Sequence, residues 1–375
     1  MMAAIKFGSK YISPNGDMVY IIAEVGQNHQ GNLNVAKKII TEAKRIGCDC
    51  VKFQKSCLSS KFTKSALNRP YTSENSWGST YGEHKKYLEF SEDQYRDLQM
   101  HAKEIGIDFT ASAMDEISLD FLQAIKVPFI KIGSGDANNV LLLSRAAGVD
   151  IPLIVSTGMQ TTETIDKIVQ IMQKNDKTNY ALMHCVSSYP TEPKESSLRM
   201  IPLLKEQYPS VVIGYSGHEK GIEISKAAVL LGARIIERHF TLDKNQKGSD
   251  HKCSLEPAEF ESLVKFIKKF EKLGPLNNDQ VLNILHKNKD VELALTQVQS
   301  RTILLSELPC KMKLGKSIVA VKYLKAGDTL KLRDLCIKVS EPMGISAEHF
   351  DSILGKVLAT DVDGDSPIMF QHLLV

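Results

Sequence analysis

Long apolar runs and blocks of one charge are both missing from this chain of 375 residues. No segment approaches the roughly 18 apolar residues of a membrane-spanning helix. The formal net charge is only +3, and no segment concentrates lysine and arginine as a nucleic-acid or membrane surface would. The amino-terminal sequence also lacks the apolar core of a secretion signal. We therefore expect a cytoplasmic protein with neither a nucleic-acid nor a membrane partner.

Ordered cysteine spacing is missing as well. The seven cysteines are odd in number and scattered, and Cys48 and Cys50 form the only close pair. This spacing fits neither a zinc site nor the disulfide framework of a secreted protein. We expect reduced thiols.

The chain does contain eight short apolar runs, each ending at a polar or charged residue. Stretches with helical periodicity, such as 35–43 and 221–231, separate them. Eight repeats of strand then helix predict an α/β fold, the (β/α)8 or TIM barrel, whose active site lies at the carboxyl ends of its strands. The runs are 19–24, 50–54, 107–110, 129–131, 153–156, 180–184, 211–216 and 234–239.

The pattern changes after the last predicted barrel helix, 257–273. We predict a barrel domain over 1–274, a linker with some helix over 275–313, and a small β-rich domain over 314–375, where short β-like runs alternate with turn residues. A polar, aromatic-rich insertion at 60–90 follows the second strand. Insertions of that length in a compact domain are usually functional.

Two lysines interrupt strands that should be almost wholly apolar. Lys52 and Lys131 have the strand parity that points into the barrel, where an unpaired ammonium group is costly. One interpretation is internal ion pairing with Glu24 or Glu237. The other is an anion site, because hydroxyl groups are predicted at the same level. These belong to Thr110, Ser134, Ser156, Ser187 and Ser216.

Two histidines follow the last two strands. His218 and His239 are predicted to face the barrel mouth beside Glu237 and Asp250, and neutral imidazoles bind divalent metals. Glu24 ends the first strand and is a candidate general acid or base. For His184, a hydrogen-bonded role in the core is as plausible as a functional one.

Several of these stretches together resemble the sialic acid synthase family, and the resemblance runs almost end to end. The small domain resembles the antifreeze-like (SAF) domain of that family, through GKSIVA at 315–320 and LGK at 354–356. RPYTS at 69–73 and YGEH at 81–84 resemble its animal branch, which uses a 6-phosphorylated sugar. The other matching stretches are IAEVGQNHQG at 22–31, VKFQ at 51–54, KIGSGD at 131–136, STGM at 156–159, GYSGH at 214–218, ERH at 237–239 and GSD at 248–250.

The resemblance implies a transferase of sialic acid biosynthesis that condenses phosphoenolpyruvate with N-acetylmannosamine 6-phosphate, giving N-acetylneuraminate 9-phosphate and inorganic phosphate. It implies that the two lysines and the hydroxyls bind phosphoenolpyruvate, and that His218 and His239 bind Mn²⁺ or Mg²⁺. The insertion offers cations suited to the sugar phosphate that the resemblance implies, namely Lys61, Lys64, Arg69, Lys85 and Lys86. A domain-swapped homodimer is also implied. The residues expected to orient the sugar hydroxyls are Gln54, Asp136, Tyr189 and Asp250.

Some features leave alternatives open. Ser187 and Asp136 stand where bacterial members carry Asn and Glu, and Glu341 stands where they carry an arginine before a proline. The substrate could instead be unphosphorylated N-acetylmannosamine, or mannose 6-phosphate to give the deaminated product. A phosphoenolpyruvate aldolase for a shorter sugar phosphate, or a non-enzymatic carbohydrate-binding protein, are the competing classes.

Overall fold

Eight parallel strands close into a barrel in the computed structural model of the chain, which describes residues 4–274, 281, 284–285, 287–295 and 300–374. Each strand pairs with the next along the chain, and the last pairs with the first. The predicted (β/α)8 barrel is therefore confirmed. Its strands are β3 (Tyr20–Gly26), β4 (Cys50–Lys55), β5 (Asp108–Ala113), β6 (Ile130–Ile132), β7 (Leu153–Ser156), β8 (Tyr180–Cys185), β9 (Val212–Gly217) and β10 (Ile235–His239).

A short antiparallel hairpin, β1 (Ile5–Phe7) with β2 (Lys10–Ile12), packs against the amino-terminal layer of the barrel interior. The ring of Phe7 lies 5.9 Å from that of Phe129, in an edge-to-face arrangement. Apolar burial therefore closes this end of the barrel and leaves the carboxyl end for chemistry. The sequence analysis did not predict this hairpin, whose three-residue strands are too short to show a period.

Helices cover the outside of the barrel because their apolar stripes pack on the outward side chains of the strands. The first illustrates the local signals: the Asn32 side chain accepts from two backbone amides at its start, and Gly47 ends it with φ 90°. The helices of this part are α1 (Leu33–Ile46), α2 (Leu58–Lys61), α3 (Lys64–Asn68), α4 (Tyr81–Leu88), α5 (Glu92–Ile105), α6 (Glu116–Ala124), α7 (Val140–Ala147), α8 (Thr162–Lys174), α9 (Met200–Gln207), α10 (Glu223–Leu230) and α11 (Pro257–Leu273).

The insertion at 60–90 is more ordered than a loop, since it contains α2 in part, α3 and α4. A capping box between Thr80 and Glu83 starts α4. Phe62 and Tyr81 pack edge to face, with ring centroids 5.6 Å apart, and both belong to one buried cluster with Val339 of the small domain. The insertion thus connects the barrel mouth to that domain.

The predicted linker lies partly outside the described residues. Its described part contains α12 (Lys289–Ala294) and α13 (Leu308–Leu314). The small domain that follows has its own apolar core around Ile318, Phe350 and Ile368, a β11 (Ser317–Ala320) to β12 (Leu335–Lys338) pair, and α14 (Phe350–Ile353). The limits 274 and 314 remain a prediction. The 3₁₀ segments are Ser134–Asp136, Pro193–Glu195, His251–Cys253, Leu305–Glu307, Leu332–Asp334, Ala347–His349 and Phe370–His372.

The small domain docks on the barrel of its own chain through polar contacts around the barrel mouth. The backbone amide of Val339 donates to Lys61 O at 2.8 Å, and Asn138 Nδ2 donates to Glu348 Oε2 at 2.7 Å. Asp136, just beyond β6, forms a buried ion pair with Lys316. Within the described ranges, no helix combines the length and apolarity needed to cross a bilayer.

Candidate active site

A cavity of about 490 Å³ opens at the carboxyl ends of the barrel strands, a size suited to small-molecule ligands. The insertion, the linker and the start of the small domain supply its remaining walls. Every predicted site residue lines it except Thr110 and Arg69. The residues brought together are Glu24, Lys52, Gln54, Lys131, Ser134, Asp136, Ser156, Ser187, Tyr189, Ser216, His218, His239 and Asp250.

The two barrel lysines lie deep in this cavity and are paired with carboxylates. Lys52 Nζ is 2.5 Å from Glu24 Oε2 and 3.6 Å from Glu237 Oε1, and Lys131 Nζ is also 3.6 Å from Glu237 Oε1. All four side chains are buried. The internal ion pairing considered as an alternative is therefore present, and it lies inside the cavity rather than away from it.

Burial and mutual charge set the protonation of this cluster. Burial alone would raise the pKa of Glu237, but the ammonium groups of Lys131 and Lys52 outweigh it and lower that pKa to about 2. Burial raises the pKa of Glu24 despite the opposing charge of Lys52. Glu237 is thus the fixed anion of the cluster, whereas Glu24 is the carboxyl group better suited to hold a proton.

Serine hydroxyls surround the ammonium groups. Lys131 Nζ donates to Ser156 Oγ at 2.6 Å, and Ser216 Oγ donates to Glu237 Oε1 at 3.2 Å. The buried Ser187 Oγ has no hydrogen-bond partner among the described residues. An unpaired buried hydroxyl costs free energy unless a ligand satisfies it.

Gly158 explains why two of these hydroxyls can lie so close together. A Cβ at this position would come within 2.3 Å of Ser187 Oγ and 2.7 Å of Ser134 Oγ. The Gly158 amide instead donates to Ser134 Oγ at 3.1 Å. The STGM motif at 156–159 therefore needs glycine for space.

The prediction that Thr110 faces the cavity is wrong. Thr110 lies below the cavity floor, and its hydroxyl donates to Phe129 O at 2.5 Å. The strand continues to Ala113, so Ser112, with the same parity, takes the cavity position and accepts from Lys52 Nζ at 3.1 Å. The apolar run in the sequence ends at residue 110, whereas strand β5 continues to Ala113, so the predicted strand end came too early.

Arg69 also lies outside the cavity, contrary to its assignment as a substrate contact. Its guanidinium carbon is 4.2 Å from the centroid of the Tyr81 ring, and Nη1 is 3.3 Å from Glu341 Oε2. Arg69 therefore packs on the ring of Tyr81, which lines the cavity. The Glu341 carboxylate accepts this contact from the small domain.

The two histidines lie next to one another at the cavity wall, with ring centroids 5.4 Å apart. His218 Nδ1 lies 2.8 Å from Val186 O, which fixes the ring and leaves Nε2 for a ligand. Burial lowers the pKa of His239 to about 3, so its imidazole is neutral, and its buried Nδ1 has no partner among the described residues. Burial would lower the pKa of His218, but the Cys185 side chain and the Val186 carbonyl outweigh it and raise that pKa. A divalent metal bound by both imidazole nitrogens would therefore displace the proton of His218.

A third protein ligand is not in place: the described part of the chain holds no group of three His, Cys, Asp or Glu side chains arranged for a metal ion. A metal held by two imidazoles would keep most of its coordination positions open for substrate and water oxygens. His184 has the core role considered for it, with Nε2 at 2.7 Å from Ser196 O.

Four residues expected to orient sugar hydroxyls lie around the same space. Gln54 Nε2 donates to Glu24 Oε1 at 2.9 Å, and Asp250 Oδ1 accepts from Ser249 Oγ at 2.6 Å. The centroids of the Tyr189 and His218 rings are 4.1 Å apart. Asp136 is bound instead by Lys316, so a ligand would have to share this carboxylate.

Sequence reasoning missed the groups that the linker and the small domain supply to the cavity. Ser306, Lys313 and Lys316 line it, although no local pattern marks them as functional. Glu307 fixes the linker there: its Oε1 accepts from the amides of Met159 at 2.8 Å and Ser187 at 2.9 Å. Only tertiary contacts reveal these residues.

The fold and site define a class: a (β/α)8 barrel enzyme with a cationic, hydroxyl-lined mouth and paired imidazoles. The NeuB family model matches residues 39–275, and the SAF domain model matches residues 315–374. The chain belongs to the NeuB family, and the resemblance to the sialic acid synthases is confirmed.

Individual relatives agree with this family. The chain is 60% identical over 359 residues to the N-acetylneuraminate-9-phosphate synthase of Drosophila melanogaster, covering 96% of each chain. It is 47% identical to the Homo sapiens protein of that name, covering 93% of this chain and 91% of the other. The crystal structure of the spore coat polysaccharide biosynthesis protein SpsE from Bacillus subtilis superposes with a TM-score of 0.81 at 27% identity, covering 100% of this chain and 99% of that one.

Proposed function

We propose that the protein is a transferase that condenses phosphoenolpyruvate with N-acetylmannosamine 6-phosphate to give N-acetylneuraminate 9-phosphate and inorganic phosphate. The observation that carries the proposal is the junction, in one cavity, of the Lys52–Lys131 cluster with the His218–His239 pair. The lysine cluster suits an anionic three-carbon substrate, and the histidine pair suits the aldehyde that this substrate attacks. The reaction needs the two groups next to one another. The names of the relatives favour this substrate pair.

Phosphoenolpyruvate would bind at the lysine end of the cavity. Lys52 and Lys131 would exchange part of their pairing with Glu237 for the substrate's phosphate and carboxylate, which form charge-assisted hydrogen bonds of the same kind. Ser156 already lies within hydrogen-bond distance of Lys131, and the unpartnered Ser187 hydroxyl completes the set.

A divalent metal held by His218 and His239, Mn²⁺ or Mg²⁺, would supply Lewis-acid polarisation of the open-chain sugar aldehyde when bound. In the reaction, C3 of phosphoenolpyruvate forms a bond to that aldehyde carbon, water adds at C2, and phosphate leaves by cleavage of its C2–O bond. Glu24 is the residue that can hand a proton to the new hydroxyl oxygen, because burial raises its pKa. Gln54, Asp136, Tyr189 and Asp250 would orient the sugar.

The test is to incubate the protein with phosphoenolpyruvate, N-acetylmannosamine 6-phosphate and Mn²⁺ and to measure released phosphate. Parallel reactions with the unphosphorylated sugar and with mannose 6-phosphate rank the acceptors. Absence of phosphate release with every mannose-type sugar would refute the proposal and favour a carbohydrate-binding protein. Release with a tetrose or pentose phosphate alone would favour the shorter-chain aldolase.

We further propose that the protein works in the cytoplasm as a homodimer with exchanged small domains, the domains being 1–274 and 314–375. When two chains exchange their small domains, the interface between barrel and small domain stays the same and only the path of the linker changes. The Lys316–Asp136 contact would therefore be the same between two chains as within one chain. Mixing an inactive His239→Ala chain with an inactive Lys316→Ala chain under exchange conditions tests this. If the small domains are exchanged, each mixed dimer has one intact site of two, and about half of the dimers are mixed, so roughly a quarter of all sites in the sample become intact. If each chain keeps its own small domain, no site becomes intact.

A further inference from the structure

The outer part of the cavity holds a second set of cations, separate from Lys52 and Lys131. Lys61, Lys85 and Lys313 line it, and none of them forms an ion pair with a carboxylate among the described residues. The nearest partner of Lys61 Nζ is a sulfur atom, Met114 Sδ at 2.8 Å. The deep lysines have carboxylates within ion-pairing distance. The outer set has none among the described residues, although Asp250 lies near enough to act on the charges of Lys85 and Lys313.

Lys85 and Lys313 approach one aromatic ring from different segments. Their Nζ atoms lie 5.4 and 5.6 Å from the centroid of the Tyr81 ring. Each has only a neutral hydrogen-bond partner, Gln27 Oε1 at 3.2 Å for Lys85 and the Tyr71 hydroxyl at 3.3 Å for Lys313. Burial, and after it the charge of Lys313, lowers the pKa of Lys85 to about 8. An anion at this point would relieve that repulsion.

The Tyr81 hydroxyl is the second, independent indication of a ligand. Tyr81 is fully buried and lines the cavity, yet its hydroxyl has no hydrogen-bond partner among the described residues. A buried hydroxyl without a partner destabilises the protein unless a ligand satisfies it. A phosphate oxygen would accept from this donor, and from the two ammonium groups, at once.

We propose that Lys85, Lys313 and Tyr81 form the subsite for the 6-phosphate of the acceptor sugar, and that they determine the preference for a phosphorylated over a free sugar. This inference rests on the proposed function. The cluster suits a phosphate monoester and not a sugar hydroxyl, because a neutral group would leave both ammonium groups without an anion within ion-pairing distance. Phosphoenolpyruvate is excluded from this role because its own cations, Lys52 and Lys131, lie deeper.

The subsite joins two segments distant in sequence. Lys85 and Tyr81 lie on α4 of the insertion, while Lys313 lies on α13 of the linker. A bound phosphate would therefore hold the linker helix against the insertion. Phosphate specificity would then depend on the linker as much as on the barrel.

The experiment compares kcat/KM for N-acetylmannosamine 6-phosphate with kcat/KM for N-acetylmannosamine in wild type, Lys85→Ala, Lys313→Ala and Tyr81→Phe. Each alanine variant is expected to lower the ratio about 10- to 100-fold, the value of one hydrogen bond to a charged group, and Tyr81→Phe about 3- to 10-fold. The KM for phosphoenolpyruvate should not change. Lys86→Ala and Lys311→Ala, on the same two helices but outside the cavity, are the matched controls and should retain the wild-type ratio.

Calorimetric titration with N-acetylmannosamine 6-phosphate, without phosphoenolpyruvate, separates this inference from the proposed function. If wild type binds the sugar phosphate and the alanine variants bind it at least tenfold more weakly, the subsite stands even for a protein that turns over no sugar. Unchanged affinity and an unchanged ratio in both alanine variants would overturn it. A wild type that prefers the free sugar would also overturn it and would leave the synthase activity intact.

Discussion

Replacement of Asp136 by Asn should loosen the small domain from the barrel. The side chains of Asp136 and Lys316 are only 4% and 1% exposed, and they form an ion pair across the interface of the two domains. The variant keeps the size of residue 136 and removes its charge. Lys316 Nζ would retain the carbonyl of Met114 at 3.4 Å, a long contact with a neutral acceptor.

The expected loss in the free energy of unfolding arises because the variant leaves the buried Lys316 ammonium group without its counter-ion. Loss of one partner of a buried pair costs about 3–5 kcal/mol, whereas replacing both partners by neutral groups is often close to neutral. Lys61 lies close enough to affect the pKa of Asp136, and its charge adds to the cost in Asp136→Asn. Lys316→Met should cost less, because burial raises the pKa of Asp136 and allows its carboxyl to become neutral.

A double-mutant cycle measures this effect. The unfolding free energies of wild type, Asp136→Asn, Lys316→Met and the double variant are compared by urea titration, followed by the fluorescence of Trp77, the only tryptophan of the chain. Trp77 lies in the insertion that contacts the small domain, where it stacks on Tyr87. We expect the double variant to be more stable than Asp136→Asn. A double variant as unstable as the sum of the single variants would refute the reasoning.

Three further predictions concern other parts of the site and core. His218→Ala and His239→Ala should each abolish metal-dependent turnover while the circular dichroism spectrum persists, and full activity after extensive chelation would contradict this. Burial lowers the pKa of His29 to about 3 from its ordinary 6.5, so the unfolded chain binds the extra proton first. Stability should therefore fall as the pH falls from about 6.5 towards 3, by up to about 1.4 kcal/mol per pH unit, and His29→Phe should reduce that slope in urea titrations. Glu307→Gln should raise the KM for phosphoenolpyruvate by about tenfold, because weaker acceptance from the Ser187 amide releases that loop; an unchanged KM would contradict the anchoring role.

The barrel could be predicted from the sequence because strand and helix periods are local properties. Apolar runs such as 153–156 coincide with a strand, and the predicted helix 257–273 has the observed bounds of α11. Errors occurred where the local pattern is ambiguous. Strand β5 runs on through Thr110 to small residues, and nothing in their hydropathy marks the true end.

The site could be predicted in its deep part for the same reason. A lysine inside a buried strand, such as Lys52 or Lys131, is costly without a partner, so its type and parity alone indicate a function. Lys313 and Lys316 give no such signal. Lys313 ends the linker and Lys316 follows it, and only the docking of these segments brings both lysines to the barrel mouth.

The sequence by itself therefore determined the barrel, the second domain and most of the residues at the strand ends, since hydrophobic period and chain order specify where the strands lie and which way their side chains point. The end of β5 is the exception. Tertiary structure alone decided which charges face one another. Lys52 meets Glu24 and Glu237, Arg69 turns to Glu341, and the linker contributes Lys313. Electrostatic interactions depend on distances between atoms that are remote in the chain, and those distances exist only once the chain has folded.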